Sequence, residues 1–157
     1  MKIIAGTSKG IFSINDSDSH LLSDSPDVRD LVNFDGRLFA GTGAGICISD
    51  DNGENWSQSG LEEFEVWQIR SSVNGLIYAS TSPAALFFSE DNGANWIEVT
   101  SFTEHPEASK WSIPVTPPIP GRSRALVVDQ YNPNRIWVGV EVGGIMQSDD
   151  GGKTWSL

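Results

Sequence analysis

The chain has 157 residues, with ten basic and twenty-one acidic side chains and a formal charge of −11. That length suits one packed domain, and the charge repels nucleic-acid phosphates and anionic lipid surfaces, so neither nucleic acid nor a membrane is expected as a partner. A single cysteine, Cys47, rules out an internal disulfide and a thiolate-built zinc site, and no metal or cofactor is expected.

The chain opens on Lys2-Ile3-Ile4-Ala5-Gly6-Thr7, a strand-like segment without the long apolar run and small-residue cleavage site of a signal peptide, so a cytoplasmic location is expected. Gly10-Ile11-Phe12-Ser13-Ile14 follows as a second strand. Residues 1–26 read as a partial repeat, because the same order returns in fuller form further on.

Residues 27–60 carry Arg37-Leu38-Phe39-Ala40-Gly41-Thr42, then Ile46-Cys47-Ile48-Ser49, then Asp51-Asn52-Gly53-Glu54-Asn55-Trp56. Cys47 sits in an apolar run, where a packing role is expected rather than a nucleophilic one. Residues 61–101 repeat the order: a strand over 66–73, the turn Asn74-Gly75, then Leu76 to Thr81, Leu86 to Ser89, Asp91-Asn92-Gly93-Ala94-Asn95-Trp96, and a last strand at 97–99. Asn-Gly between two apolar runs is a hairpin signal, since both residues tolerate positive φ.

Asp51 and Asp91 are 40 residues apart, the length of one four-stranded propeller blade. The interval from Asp91 to Asp150 is 59, so an insert of about nineteen residues lies at 102–121. Its prolines at 106, 114, 117, 118 and 120 are expected to exclude regular strand or helix. Residues 122–157 return to the repeat with Arg135 to Val140, Ile145 to Ser148 and Asp150-Gly151-Gly152-Lys153-Thr154-Trp155, and stop in the fourth strand. The expected fold is all-β, a propeller of four-stranded blades of which this chain holds about three and a half.

Three copies of Ser-x-Asp-x-Gly-x-x-Trp stand in register with three strand pairs. Asp51, Asp91 and Asp150 offer short acceptors to the turn N–H groups, Gly53, Gly93 and Gly152 supply backbone other residues resist, and Trp56, Trp96 and Trp155 pack beside the hairpin. A calcium loop at Asp50 to Gly53 fails on spacing, since no Glu follows the glycine at six residues.

These residues resemble the bacterial neuraminidase repeat, or Asp box, of sialidases, sortilin-type receptor domains, a photosystem II assembly factor and xyloglucan-degrading enzymes. The resemblance implies a structural turn on the outer blade edge and assigns fold without activity. Sialidase chemistry in that family needs an Arg-Ile-Pro motif, three arginines for the substrate carboxylate, a Tyr-Glu pair and an acidic Asp. Here Ile113-Pro114 and Ile119-Pro120 lack the preceding Arg, and neither Tyr78 nor Tyr131 has an evident Glu partner.

Ligand sites in propellers lie where inner strands begin. Aligning Val28-Arg29-Asp30-Leu31, Val66-Trp67-Gln68-Ile69 and Ser123-Arg124-Ala125-Leu126 puts Arg29, Trp67 and Arg124 at one level, suited to a carboxylate or a sugar ring. The alternative is that both arginines pair with neighbouring acids and Trp67 packs between blades. Trp111 in the insert and Glu141 complete the candidate ligand contacts, and a pair among Glu104, Glu107 and Glu141 is the formal route to a glycosidase. The favoured function is a non-catalytic binding or assembly propeller for a small molecule, glycan or protein; the alternative is a glycan-active hydrolase. An open set of blades needs closure, either by a homodimer that completes the ring or by the remainder of a longer chain.

Overall fold

A computed structural model describes residues 2–16 and 18–157. The described chain is all-β apart from one short helix and one 3-10 turn, and it packs as two compact units, one running through Ile69 and the other covering Arg70–Leu157.

In the first unit, β1 (Ile3–Thr7), β2 (Gly10–Ile14) and β3 (Ser19–Ser23) form an antiparallel sheet in the order β1-β2-β3. A second sheet runs β4-β5-β6-β7, from β4 (Asp30–Phe34), β5 (Arg37–Thr42), β6 (Gly45–Ser49) and β7 (Ser57–Gln58). The β4–β5 hairpin closes on Asp35 and Gly36, both at positive φ (51° and 90°), which matches the twist of the flanking strands. Thr7 and Thr42, the last residues of β1 and β5, each donate a hydroxyl hydrogen bond to the carbonyl that opens the next strand, Gly10 and Gly45, both at 2.9 Å. The repeated Ala-Gly-Thr is therefore a strand end that carries its own turn cap.

The core of this unit centres on Ile11, Ala40 and Cys47, with Ile4, Leu22, Val28, Leu31 and Trp56 against it. Cys47 is buried, its Sγ 3.1 Å from Ser25 Oγ, and burial pushes its thiol pKa up, in keeping with packing. Glycine in the Ala-Gly-Thr repeat has a packing reason: a Cβ on Gly6 would lie 2.4 Å from Val28 Cγ1, and one on Gly41 3.0 Å from both Cγ1 and O of Val66. Gly41→Val is therefore expected to lower stability by about 1–3 kcal/mol, measured by chemical denaturation.

Strand β8 (Glu65–Ser71) contains the division between the units and heads a sheet in the order β8-β9-β10-β11, with β9 (Ile77–Ser82), β10 (Leu86–Ser89) and β11 (Ile97–Glu98). Asn74-Gly75 does turn the chain, but as a longer loop in which Gly75 alone is at positive φ (87°) and donates to the Ser72 carbonyl at 3.0 Å.

The insert departs from expectation. It continues from helix α1 (Thr100–Thr103) into a 3-10 turn at Pro106–Lys110 and a two-residue hairpin of β12 (Ser112–Ile113) with β13 (Ile119–Pro120). Proline is tolerated at these places because Pro106 occupies the first turn, where its missing N–H has no partner to lose, and Pro120 ends a two-residue strand. Strands β14 (Ser123–Val128), β15 (Ile136–Val140) and β16 (Gly144–Ser148) form the last sheet, and Gln147 and Ser156 exchange two backbone hydrogen bonds beside β16. Phe102, fully buried, joins this unit's core with its ring centroid 4.8 Å from Trp111 and 5.0 Å from Trp155.

Candidate functional site

The three Asp boxes share one hydrogen-bond scheme. In the first, Ser49 Oγ donates to Asp51 Oδ1 (2.8 Å) and accepts from the Gly53 N–H (2.9 Å), while Asp51 accepts from the Asn55 N–H (2.9 Å) and Nδ2 (2.7 Å). Ser89, Asp91, Gly93 and Asn95 repeat it. Ser148, Asp150 and Gly152 do so again, with the Thr154 N–H and hydroxyl in place of asparagine. Residues 52–53, 92–93 and 151–152 all lie at positive φ, which Asn and Gly adopt most readily. These hydrogen bonds, led by the side chain of Asn55, Asn95 or Thr154, hold each aspartate at about 2. In each box the serine hydroxyl and the aspartate carboxylate are engaged within the turn itself. The serines had no role in the sequence reading beyond the motif itself, yet their buried hydroxyls join aspartate to glycine.

Trp56 Nε1 donates to the Gly53 carbonyl (3.1 Å). Trp155 instead donates to Ser101 Oγ (3.2 Å), and Ser101 in turn donates to the Gly152 carbonyl, which fastens the third box to α1.

The inner-strand candidates are divided between the two units, Arg29 and Trp67 in the first and Arg124 in the second. In the first unit, the Arg29 guanidinium carbon lies 4.1 Å from the Trp67 ring centroid and its Nη2 donates to Glu65 Oε2 (3.0 Å). Arg29 Nε is buried and has no partner among the described residues. Next to it, Asp30 Oδ2 accepts from the Ile69 N–H (2.8 Å), tying β4 to β8. A cavity of about 180 Å³ is lined by Gly6 and by Val28 to Leu31. Glu65 was not foreseen, although residues two apart on a strand share a face and so place it beside Trp67.

In the second unit, Arg124 Nη1 reaches Glu141 Oε1 (3.4 Å) and Arg122 Nη1 reaches Glu141 Oε2 (3.3 Å). Glu141 is thus clamped between two arginines, of which Arg122 was missed. Trp111, expected to face a ligand, is only 7% exposed and packs against Phe102 with the two rings tilted by 41°. The insert folds inward at this point because the Trp111 N–H caps the 3-10 turn at the Ala108 carbonyl and its own carbonyl accepts from Gly121. His105, Glu107 and Lys110 serve the same turn, His105 Nδ1 accepting from the Glu107 N–H and Lys110 pairing with Glu107. Among the described residues, no group of three or more His, Cys, Asp or Glu side chains is arranged to hold a metal ion, and no helix is long and apolar enough to cross a membrane.

A family model for the DUF6242 beta propeller domain matches residues 6–117, and one for the BNR/Asp-box repeat matches residues 148–157. Comparison with the curated proteins gives no match. Among solved structures, an ancestral GH74 enzyme superposes with a TM-score of 0.69 at 16% identity, over 98% of this chain and 22% of that one. The GH74 xyloglucanase from Xanthomonas campestris gives 0.66 at 14%, over 99% and 27%. YCF48 bound to D1 peptide gives 0.63 at 16%, over 99% and 49%. The chain therefore spans between about a fifth and a half of the propeller proteins it resembles, and at these identities the likeness is one of fold.

Proposed function

The chain belongs to the DUF6242 β-propeller domain family, and from that premise we propose that it is a non-catalytic binding or assembly propeller that holds a carboxylate-bearing small molecule or peptide at Arg29 and Trp67. The observation that carries this reading is the guanidinium stacked 4.1 Å from the indole, a flat cation with a buried Nε–H that has no partner among the described residues. Such a pair offers a ligand carboxylate both charge and an apolar platform. Glu141, one of the three carboxylates considered for glycosidase work, argues the other way, because both its oxygens are engaged by Arg122 and Arg124. Likeness to a propeller solved with a bound peptide is in keeping with a peptide ligand.

The test is an array of short peptides ending in Asp or Glu, run beside fluorogenic sialosides and xyloglucan oligosaccharides. Retention of carboxylate-ended peptides is expected, weakened about tenfold in Arg29→Lys, which keeps the charge and loses the planar stack. Glycoside turnover that disappears in Glu141→Gln overturns the proposal.

A further inference from the structure

The sequence holds three Asn-Gly pairs, Asn52-Gly53, Asn74-Gly75 and Asn92-Gly93. Such a pair is reactive because the asparagine carboxamide carbon and the next backbone nitrogen can close a five-membered ring. Glycine places no side chain in the way of that closure. All three asparagines are exposed, so access to the carboxamide does not separate them. The glycine nitrogen does.

In the Asp boxes this nitrogen is locked. Gly53 and Gly93 are buried, and their N–H groups donate to Ser49 Oγ at 2.9 Å and Ser89 Oγ at 2.8 Å. Each serine is buried and bonded to the box aspartate, which is bonded in turn to Asn55 or Asn95. Freeing the nitrogen therefore means breaking a connected network of hydrogen bonds. Space is closed as well, since a Cβ added at Gly53 would lie 2.2 Å from Ile4 Cδ1.

Gly75 stands in the opposite condition. It is exposed, and a Cβ added there would meet nothing within 4 Å. Its N–H donates to the Ser72 carbonyl at 3.0 Å across a turn whose Val73, Asn74 and Gly75 are all exposed. A bond of that kind opens by local fluctuation far more readily than a buried network. Asn74 Oδ1 accepts from the Leu76 N–H at 3.3 Å, which folds the carboxamide forward along the Gly75 peptide. The two reacting groups therefore lie side by side.

We propose that Asn74 is a self-modification site, at which the folded chain turns asparagine into isoaspartate and aspartate while Asn52 and Asn92 stay intact. The Gly75 nitrogen gives its proton to solvent and attacks the Asn74 side-chain carbonyl carbon. A new C–N bond forms, the carboxamide C–N bond breaks, and ammonia leaves a cyclic imide behind. Water then opens the imide. Attack at the side-chain carbonyl gives aspartate; attack at the backbone carbonyl gives isoaspartate, whose main chain is one methylene longer. One water enters and one ammonia leaves, with no oxidation or reduction. Either product adds a negative charge between β8 and β9, and isoaspartate also stretches a loop closed by the Ser72 N–H to Leu76 carbonyl bond of 2.8 Å. The modified turn then suits an isoaspartyl carboxyl methyltransferase, the class of enzyme that reads this linkage in exposed chain. Nothing here depends on a ligand at Arg29.

The test holds the full 157-residue protein folded in mildly alkaline buffer for several weeks and follows each asparagine by fragment mass spectrometry. Conversion at Asn74 is expected to run at least about tenfold faster than at Asn52 or Asn92, with isoaspartate the larger product. In denaturant the three pairs are expected to react within about threefold of one another, because the fold and not the pair sets the difference. Methyl labelling of the aged protein by an isoaspartyl methyltransferase is expected to vanish in Asn74→Gln. Equal conversion at the three sites in the folded protein overturns the proposal. So does an Asn74 that survives in the folded chain while reacting in denaturant, or labelling that persists in Asn74→Gln.

Discussion

Phe102→Ala is expected to lower stability by about 3–5 kcal/mol, the range for truncating a fully buried aromatic side chain, read as a lower denaturant midpoint with an unchanged slope. The ring is 0% exposed and touches two tryptophans from distant parts of the second unit, Trp111 and Trp155. Its backbone N–H caps the strand end at the Val99 carbonyl, so the residue cannot easily withdraw. Removing it leaves a cavity between Trp155, whose ring is held by Ser101, and Trp111, whose backbone is held by Ala108 and Gly121. Little collapse is available to fill the space, which puts the loss toward the upper part of that range. Val115→Ala, at a half-exposed position of the same insert, is the matched control and is expected to change stability by no more than about 0.5 kcal/mol. Equal effects from the two substitutions mean that the insert lies over the surface and does not plug the core.

Features decided within a few residues were the legible ones. Serine, aspartate and glycine of each box, with Asn or Thr four residues after the aspartate, satisfy one another across a single turn, so the pattern alone implied the geometry. The insert was harder because its prolines are informative about backbone and silent about direction. Nothing local states that Phe102 and Trp111 turn inward; that follows from Trp155, more than forty residues later, presenting a ring to receive them. The candidate site was legible only as positions. Arg29, Trp67 and Arg124 were placed by strand alignment, but the acids that hold the arginines, Glu65 and Glu141, lie 36 and 17 residues away in sequence. Long charged side chains choose partners by sheet register and strand neighbourhood, which periodicity does not encode.

Acid should unfold this protein through its Asp boxes. Asp51, Asp91 and Asp150 are held at about 2 in the folded chain, against about 3.9 for an unfolded aspartate. A carboxyl whose folded value is depressed contributes stability that is fully present above the unfolded value and is lost as pH falls through the folded one. Asp149, lowered by its hydrogen bond from Arg135, acts in the same direction. The melting temperature is therefore expected to be insensitive to these groups between about pH 5 and 7 and to fall steadily between about pH 4 and 2. Replacing both box asparagines, Asn55→Ala with Asn95→Ala, removes the largest single cause of the depression at two of the three boxes. The variant is expected to melt below the parent at pH 7, and the gap is expected to close as pH approaches 2, where protonated aspartates no longer distinguish the two proteins. Melting curves at four or five pH values check this. A gap of the same size at pH 7 and pH 2 would show that the asparagines act by shaping the turn and not by stabilising the charge.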